Sequence, residues 1–238
     1  MADNQSVMLP AEGRGELMEE HLRRAARRAI GFMPEPEGLA LHAAGRAAAV
    51  LGPLLEIGSY CGQSAIYLGA AARACGTVLF SVDHHRGSEE QQPGQEHFDP
   101  RLLGPDGRID TLPTFRRALA ASGMESVVIP VVGDSGTVAA HWRTPLGLVL
   151  IDGGHSEEAA QADYAGWSPF LRAGGLLAIH DVFPNPAHGG RAPFHVFRRA
   201  LASGQFEEAV AVGSLRVLEK TGRAAPPAEG IGREQHRR

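Results

Sequence analysis

The sequence predicts an α/β protein built on a doubly wound, seven-stranded sheet that is mostly parallel and has an antiparallel C-terminal strand. Three observations support this fold class. Five short, nearly all-apolar runs are typical of strands that are covered on both faces. Helical stretches separate these runs, and a regular alternation of strand and helix indicates a parallel sheet. Two further strands near the end of the chain are joined only by Gly213-Ser214, which predicts a hairpin.

The elements follow one another along most of the chain. The strands are predicted at 53–57, 77–82, 126–132, 146–151, 175–179, 207–212 and 215–219. The helices between them are predicted at 63–72, 112–121, 135–142, 156–172 and 194–202. Because the first five strands are almost entirely apolar, we expect helices on both faces of the sheet.

An N-terminal helical extension, residues 1–51, precedes the sheet. After a loose tail at 1–14, a helical period of apolar residues predicts one helix over 16–30. An alanine-rich run predicts a second helix over 39–51, and the intervening segment 31–38 is predicted to be a loop. The extension either packs on the sheet as a cap or mediates a homodimer, and the pattern permits both.

The main domain is predicted over 52–220. It contains an insertion, 84–111, that is rich in glycine, proline, histidine and acidic residues. Such a long segment without regular structure is usually a functional cover or a disordered loop, and here a lid and a solvated surface loop are both open. The tail 221–238 is rich in proline, arginine and glutamate and is predicted to be disordered.

The composition excludes several classes of function. The 238 residues have a formal net charge of -4 and no dominant basic stripe, so we expect no nucleic-acid partner. No apolar run approaches the ~18 residues that a membrane span needs, so we expect no membrane partner. The N-terminus lacks an apolar signal core, which favours a cytoplasmic location. Lys220 is the only lysine, which argues against phosphate-loop and Schiff-base lysine chemistry.

Polar residues follow every one of the five predicted parallel strands. They are Glu56 to Ser64, Asp83-His84-His85, Gly133-Asp134-Ser135, Asp152 to His155, and His180-Asp181. Ligands of open α/β sheets bind outside the carboxyl ends of the strands. These residues are therefore the candidates for a binding or catalytic site.

The turn after the first strand carries Gly58 and Gly62, separated by three residues, which differs from the G-x-G-x-x-G of dinucleotide-binding proteins. It leads into a helix whose free N–H groups and positive end favour an anion. Asp83, at the end of the second strand, suits the two hydroxyls of a ribose. Together these features describe S-adenosylmethionine (SAM), a nucleoside with a carboxylate tail and no pyrophosphate. A tight structural turn with Glu56 as a capping acid is the competing interpretation.

The segment Glu56-Ile-Gly-Ser-Tyr-Cys-Gly-Gln-Ser-Ala65 resembles the first motif of the catechol O-methyltransferase group of class I SAM-dependent methyltransferases. Val131-Val-Gly-Asp-Ser135, Asp152-Gly-Gly-His155 and His180-Asp181 resemble its later strand-end motifs, in the same order, over roughly residues 34–219. The chain is also similar to macrolide-sugar O-methyltransferases, which use a histidine as the base. The resemblance implies a Rossmann-like fold and SAM as cofactor.

The resemblance also implies roles for individual residues. The expected SAM contacts are Glu56, Gly58, Ser59, Tyr60, Gly62 and Ser64 around the methionine end, Asp83 at the ribose, Gly133, Asp134 and Ser135 at the adenine, and Asp152. Asp152, His180 and Asp181 would form a metal or substrate site. His155 would be the catalytic base.

Two histidines depart from the pattern of the catechol group. His155 stands where lysine is typical, and an imidazole with a reference pKa of ~6.5 would accept a proton near neutral pH. A helix cap at Ser156 is the structural alternative for His155. His180 stands where that group has an acid, which weakens a magnesium site and favours manganese, iron or zinc. A site without metal, in which His180 hydrogen-bonds the substrate, is equally open.

The leading hypothesis is a SAM-dependent O-methyltransferase that acts on a small hydroxylated molecule, a sugar or polyhydroxylated natural product, with or without the assistance of a divalent metal. A non-haem iron hydroxylase on the same fold is an alternative, because Asp152, His155 and His180 comprise one carboxylate and two histidines. The third hypothesis is a non-catalytic partner subunit with a SAM-binding fold.

Overall fold

The computed structural model describes residues 18–223, and its strands form a single mixed sheet. The strands are β1 (Leu54–Ile57), β2 (Leu79–Asp83), β3 (Val128–Val132), β4 (Leu146–Ile151), β5 (Leu171–Ile179), β6 (Phe206–Val212) and β7 (Leu215–Lys220). Their order across the sheet is β3-β2-β1-β4-β5-β7-β6. The first five strands are parallel, and β7 is antiparallel to both of its neighbours. The predicted fold class, including the C-terminal hairpin, is confirmed.

Helices cover both faces of this sheet. In the described part of the chain they are α1 (Glu20–Arg28), α2 (Glu35–Ala48), α3 (Gln63–Ala74), α4 (Leu112–Ser122), α5 (Ser135–His141), α6 (Glu157–Trp167) and α7 (Ala192–Ala202). Buried residues of α1 to α4 pack on one face, and those of α5 to α7 pack on the other. Strand β1 shows why: Leu54 belongs to the first core, and Leu55 and Ile57 belong to the second.

Several predicted boundaries were wrong, and three of them show the physical reason clearly. Helix α2 begins at Glu35, within the predicted loop, because a proline in the first helical turn lacks only an N–H that the helix does not use. The helix predicted over 156–172 ends at Trp167, and a short 3₁₀ turn connects it to β5. Strand β5 then begins at Leu171 instead of 175, because Leu171 pairs with Leu146 of β4.

The expectation that all five parallel strands are covered on both faces was wrong for β3. This strand forms one edge of the sheet, and Ile129 and Val132 are exposed. By contrast, every residue of β1 and β4 is buried. An apolar strand at an edge has the same sequence signature as a central one, so composition alone does not separate them.

The insertion 84–111 is ordered by a few anchors. It contains two short 3₁₀ turns, and Leu102 and Ile109 are buried against Cys61. The amide of Thr111 donates a hydrogen bond to the carbonyl of His85 at 3.1 Å, which closes the base of the loop. The insertion thus lies against the first strand-to-helix turn.

Among residues 18–223, no helix has both the length and the apolar character that crossing a bilayer would require. The predicted tail 1–14 lies outside the described residues, as does the tail predicted over 221–238 beyond Arg223.

Candidate active site

The carboxyl ends of β1 to β5 surround one open cavity of about 920 Å³. Most of the residues expected from sequence line it, which places the cofactor and metal candidates around a common space. They are Gly58, Ser59, Tyr60, Ser64, Asp83, Gly133, Asp134, Ser135, Asp152, His155, His180 and Asp181. Glu56 and Gly62 were also expected at the cofactor, and neither lines the cavity.

The turn between β1 and α3 has an unusual backbone. Gly58, Tyr60 and Gly62 all have positive φ values, of 86°, 45° and 95°. A side chain at Gly58 would overlap the backbone of Asp152 on the neighbouring strand end. The two glycines therefore allow the turn to lie flat on β4 and to present the first amides of α3 to the cavity.

The carboxylate of Asp83 fixes this turn. Its Oδ2 accepts hydrogen bonds from the amides of Ser59 and Tyr60, both at 2.9 Å, and its Oδ1 accepts one from the amide of His85 at 2.7 Å. Since an ionised carboxylate has about four acceptor positions, roughly one remains for a ligand hydroxyl. Asp83 lines the cavity as expected, and it also organises the loop around it.

Glu56 lies beneath the turn, completely buried. Its Oε1 is 2.6 Å from Ser81 Oγ, and its Oε2 has no partner among the described residues. Burial raises the pKa of Glu56 to about 8, although the nearby hydroxyls of Ser81 and Ser64 oppose this shift. Gly62 also lies away from the cavity, at the start of α3 and against the ring of Phe115.

The far end of the cavity contains a buried acid that the sequence analysis missed. Asp163, on α6, lines the cavity, and its Oδ1 accepts a hydrogen bond from Ser135 Oγ at 2.6 Å. Trp167 Nε1 donates to the same Ser135 Oγ at 2.8 Å. Burial raises the pKa of Asp163 to about 6. The helical periodicity of α6 could have indicated that Asp163 is buried, because it falls on the same face as Ala160 and Trp167.

Asp134 is the N-cap residue of α5 at this end of the cavity. Its carboxylate accepts hydrogen bonds from the amide and the hydroxyl of Thr137, both at 2.8 Å, and so caps α5. These contacts lower the pKa of Asp134. Asp134 and Asp163 each accept their hydrogen bonds through Oδ1, so the Oδ2 atom of each remains as an acceptor for a ligand at this end.

Asp152, His180 and Asp181 form a cluster where β4 and β5 end. His180 is only 3% exposed, and its Nδ1 lies 3.0 Å from Asp152 Oδ1 and 3.4 Å from Asp181 Oδ2. Its Nε2 lies 2.8 Å from Glu37 Oε2. Burial opposes the charge of this imidazole, but the three carboxylates outweigh burial and raise the pKa of His180 to about 12.

His155 joins the cluster at its open side. Its Nε2 is 3.3 Å from Asp181 Oδ2, and its Nδ1 is 3.2 Å from Glu90 Oε2 of the insertion. The hydrogen bond to Asp181 is the main reason that the pKa of His155 rises to about 9. The expectation of a near-reference pKa for His155 was therefore wrong, because two carboxylates face its ring. The same two histidines hold the pKa of Asp181 well below its usual range, although burial opposes this.

The donors fit a divalent cation. Asp152, His180 and Asp181 can each direct one ligand atom to a common point, and these atoms lie within 4.8 Å of one another. Two carboxylates and one imidazole suit Mn²⁺, Fe²⁺ or Zn²⁺ better than Mg²⁺. The set envisaged for an iron hydroxylase was Asp152, His155 and His180. Among the described residues it is Asp181, not His155, that completes the cluster.

Two segments meet over the mouth of the cavity. The ring of Phe32, in the loop before α2, stacks on Tyr60 with ring centres 5.6 Å apart. On its other side Phe32 lies 5.1 Å from the ring of His97 in the insertion. Together with the contact between Glu90 and His155, this arrangement makes the insertion part of the wall of the cavity.

Several solved structures share this fold. The chain resembles a methyltransferase of Podospora anserina, PaMTH1, solved with S-adenosylhomocysteine (SAH), at 15% identity and a TM-score of 0.60, over 89% of this chain and 90% of that one. It resembles the O-methyltransferase TomG of Streptomyces achromogenes, solved with SAM, at 18% identity and a TM-score of 0.57, over 86% and 91%. An O-methyltransferase of Bacillus cereus, solved with SAH, matches at 15% identity and a TM-score of 0.57, over 91% and 96%.

At these identities the likeness establishes the fold. The family described as "Methyltransferase domain" matches residues 55–182, which is more than half of the chain. This stretch contains the first glycine turn, Asp83, the cluster of Asp152, His180 and Asp181, and His155. The chain therefore belongs to the methyltransferase family.

Proposed function

We propose that this chain is a SAM-dependent O-methyltransferase that acts on a hydroxyl group of a small molecule. The observation that carries the proposal is the shared cavity: the glycine turn with Asp83, and the cluster of acids with His155, line the same space. This arrangement supports a cofactor site and an acid–base site that share one space. The SAM and SAH in the neighbouring structures support the choice of cofactor.

The cavity suits both SAM and an acceptor. The amides of Gln63 and Ser64, in the first turn of α3, would receive the methionine carboxylate, since those of Ser59 and Tyr60 already donate to Asp83. Asp83 would offer its remaining acceptor position to the ribose. Asp163 and Ser135 lie at the adenine end, where a carboxyl group can accept from the exocyclic amine. The volume of about 920 Å³ lies at the upper end of ordinary ligand sites, of roughly 300–1,000 Å³, which leaves space for a second molecule.

In the proposed reaction the acceptor oxygen attacks the methyl carbon of the sulfonium, the carbon–sulfur bond breaks, and SAH leaves. The hydroxyl proton must go to a base, and we assign this role to neutral His155. Because Asp181 and Glu90 stabilise the protonated ring, His155 is mainly protonated at neutral pH when no cation is bound. Asp152, His180 and Asp181 would hold a divalent cation. Such a cation, when bound, lowers the pKa of a hydroxyl that it contacts.

A polar acceptor fits this site best, and we propose a sugar or a polyhydroxylated natural product. The walls of the cavity carry His84, His97 and His188 with Gln91 and Gln95, which can hydrogen-bond several hydroxyls. Phe32 and Tyr60 provide aromatic faces on which a sugar ring can pack. Because the cavity is open and lined with these polar side chains, it also disfavours a purely non-catalytic partner subunit.

Calorimetry with SAM and SAH tests the cofactor. We expect micromolar dissociation constants for both, and a large loss of affinity in Asp83→Asn, because asparagine cannot accept all three backbone hydrogen bonds. A screen of hydroxylated acceptors with isotope-labelled SAM, read by mass spectrometry, then tests the reaction. Folded protein that binds neither ligand at micromolar concentration would overturn the proposal.

A further inference from the structure

Helix α2 contributes a carboxylate to the site from the side opposite to the cavity. Glu37 is 5% exposed, and its Oε2 lies 2.8 Å from His180 Nε2. Its Oε1 accepts a hydrogen bond from the amide of Ser214 at 3.0 Å, and Oε2 accepts one from Ser214 Oγ at 2.9 Å. Burial opposes the charge of Glu37, but His180 and Ser214 outweigh burial and lower its pKa.

The surrounding backbone is arranged around this carboxylate. The turn between β6 and β7 passes so close that a side chain at Gly213, whose φ is +53°, would overlap Glu37 Oε1. The carbonyl of Ser214 accepts a hydrogen bond from the amide of Val182 at 2.9 Å, which ties the turn to the segment that follows His180. The end of β5, the turn and α2 therefore converge on Glu37.

We propose that Glu37 is a positioning residue that fixes the ring of His180 and keeps the Nε2 proton in place, so that Nδ1 is the atom offered to a divalent cation beside Asp152 and Asp181. This inference rests on the proposed function of the same cavity. Without a cation, Asp152 and Asp181 accept a proton from Nδ1, and a bound cation replaces that proton. The Nε2 proton stays on Glu37, as carboxylates commonly support a ligating histidine from behind.

The substitution Glu37→Gln separates this role from simple packing. The glutamine is almost isosteric, but one of its two terminal atoms is an NH₂ group. An NH₂ group that faces His180 would donate to Nε2 and move the ring proton to Nδ1, which removes the cation ligand. An NH₂ group that faces the other way would oppose the amide of Ser214, another donor.

The matched control is Ser214→Ala. It removes a hydroxyl from the same carboxylate and leaves the contact between Glu37 and His180 in place. A purely structural role for Glu37 predicts similar effects of the two substitutions. A positioning role predicts an effect of Glu37→Gln alone.

The experiment is calorimetry of the full chain with Mn²⁺ and, in the same samples, with SAH. We expect Glu37→Gln to weaken Mn²⁺ binding by roughly 10–100-fold, Ser214→Ala to change it less than about threefold, and neither to change SAH binding. Glu37→Asp, which retracts the carboxylate by about 1.5 Å, should give a smaller loss and serves as the test if Glu37→Gln fails to fold.

Three results would overturn the inference: no Mn²⁺ binding by the natural chain, equal binding by all variants, or an equal loss in Ser214→Ala. Failure of SAH binding in the natural chain would instead refute the proposed function. Nitrogen NMR of the Zn²⁺-loaded chain adds a direct readout. It should show His180 ligated through Nδ1 and protonated at Nε2, and Glu37→Gln should abolish that signature.

Discussion

His155 illustrates how neighbouring charges decide what a side chain can do. Each of its ring nitrogens faces a carboxylate, Asp181 on one side and Glu90 on the other. The pKa of about 9 means that the free site holds an imidazolium near neutral pH. The two carboxylates make neutral His155 a stronger base. They also lower the fraction of His155 that is neutral and able to accept a proton.

This environment predicts an alkaline pH profile. Because a base must be deprotonated to act, the rate of methyl transfer at saturating substrate, measured without added divalent cation, should increase with pH and level off above about 9. His155→Ala should lose roughly 10²–10⁴-fold in turnover and the dependence on this group, while SAH affinity stays unchanged. The measurement is turnover of labelled SAM between pH 6 and 10 with an acceptor from the screen. Full activity in His155→Ala would remove the assignment of the base.

Site residues at strand ends could be predicted from the sequence. Asp83, Asp152 and His180 each follow an apolar run, and parallel strands bring their carboxyl ends together. Glu37 and Asp163 could not be assigned in this way, because they lie within helices. Their partners are 143 and 28 residues away along the chain, and only the tertiary packing brings Glu37 to His180 and Asp163 to the cavity.

At the scale of elements, the turn between β1 and α3 depends on glycine at one position in particular. Gly58 combines a φ of +86° with direct contact to the backbone that follows β4. Backbone atoms cannot rotate away as a side chain can. The turn and the adjoining strand end are therefore fixed relative to each other.

A pair of glycine substitutions tests this. Gly76, after α3, also has a positive φ, of +69°, but a side chain there would meet nothing within 4 Å. Gly76→Ala should cost about 1–2 kcal/mol of unfolding free energy through backbone strain alone. Gly58→Ala should cost more and should abolish SAH binding, as measured by urea unfolding and calorimetry. Equal costs in the two variants would contradict the close packing at Gly58.

Element types were more predictable than element ends. The alternation of apolar runs and helices identified β1 to β7 and α1 to α7, since both patterns are local. The extension of β5 back to Leu171 was missed, because Arg172 and the glycines 174 and 175 do not have a strand pattern. Pairing with β4 determines that end, and such pairing is not visible in a local window.

At the scale of the whole molecule, Glu56 links global stability to pH. Its pKa is about 8 in the folded chain, against an ordinary value of 4.5. Between these values the folded state binds more protons than the unfolded state. Stability therefore decreases as the pH rises through this window, and the contribution is fully present only below about 4.5.

Glu56→Gln, which mimics the protonated acid, tests this linkage. Relative to the natural chain, the variant should gain up to about 1.4 kcal/mol of unfolding free energy per pH unit between pH 5 and 8, and little more above that range. Urea unfolding at a series of pH values measures the difference, in which the contributions of other groups largely cancel. A difference that is constant across pH would show that Glu56 is ionised in the fold.

The pairing of β3 with β2 determines which backbone groups of β3 point away from the sheet at its edge. The carbonyl of Val127 accepts a hydrogen bond from β2, and the amide of Gly133 donates one to the end of β2. Backbone groups alternate in direction along a strand, so the even-numbered residues of β3 turn theirs outward.

Few of the outward amides are free to donate to another polypeptide. The amide of Val128 already donates to Met124, and Pro130 has no N–H to offer. Within residues 18–223, Val132 thus supplies the one amide of β3 left unused on that side. Ile129 and Val132 are apolar and exposed, but a strand from a second copy would receive an amide hydrogen bond from Val132 alone on this side of β3. The shortage of donors therefore disfavours edge-to-edge pairing and fibre growth here.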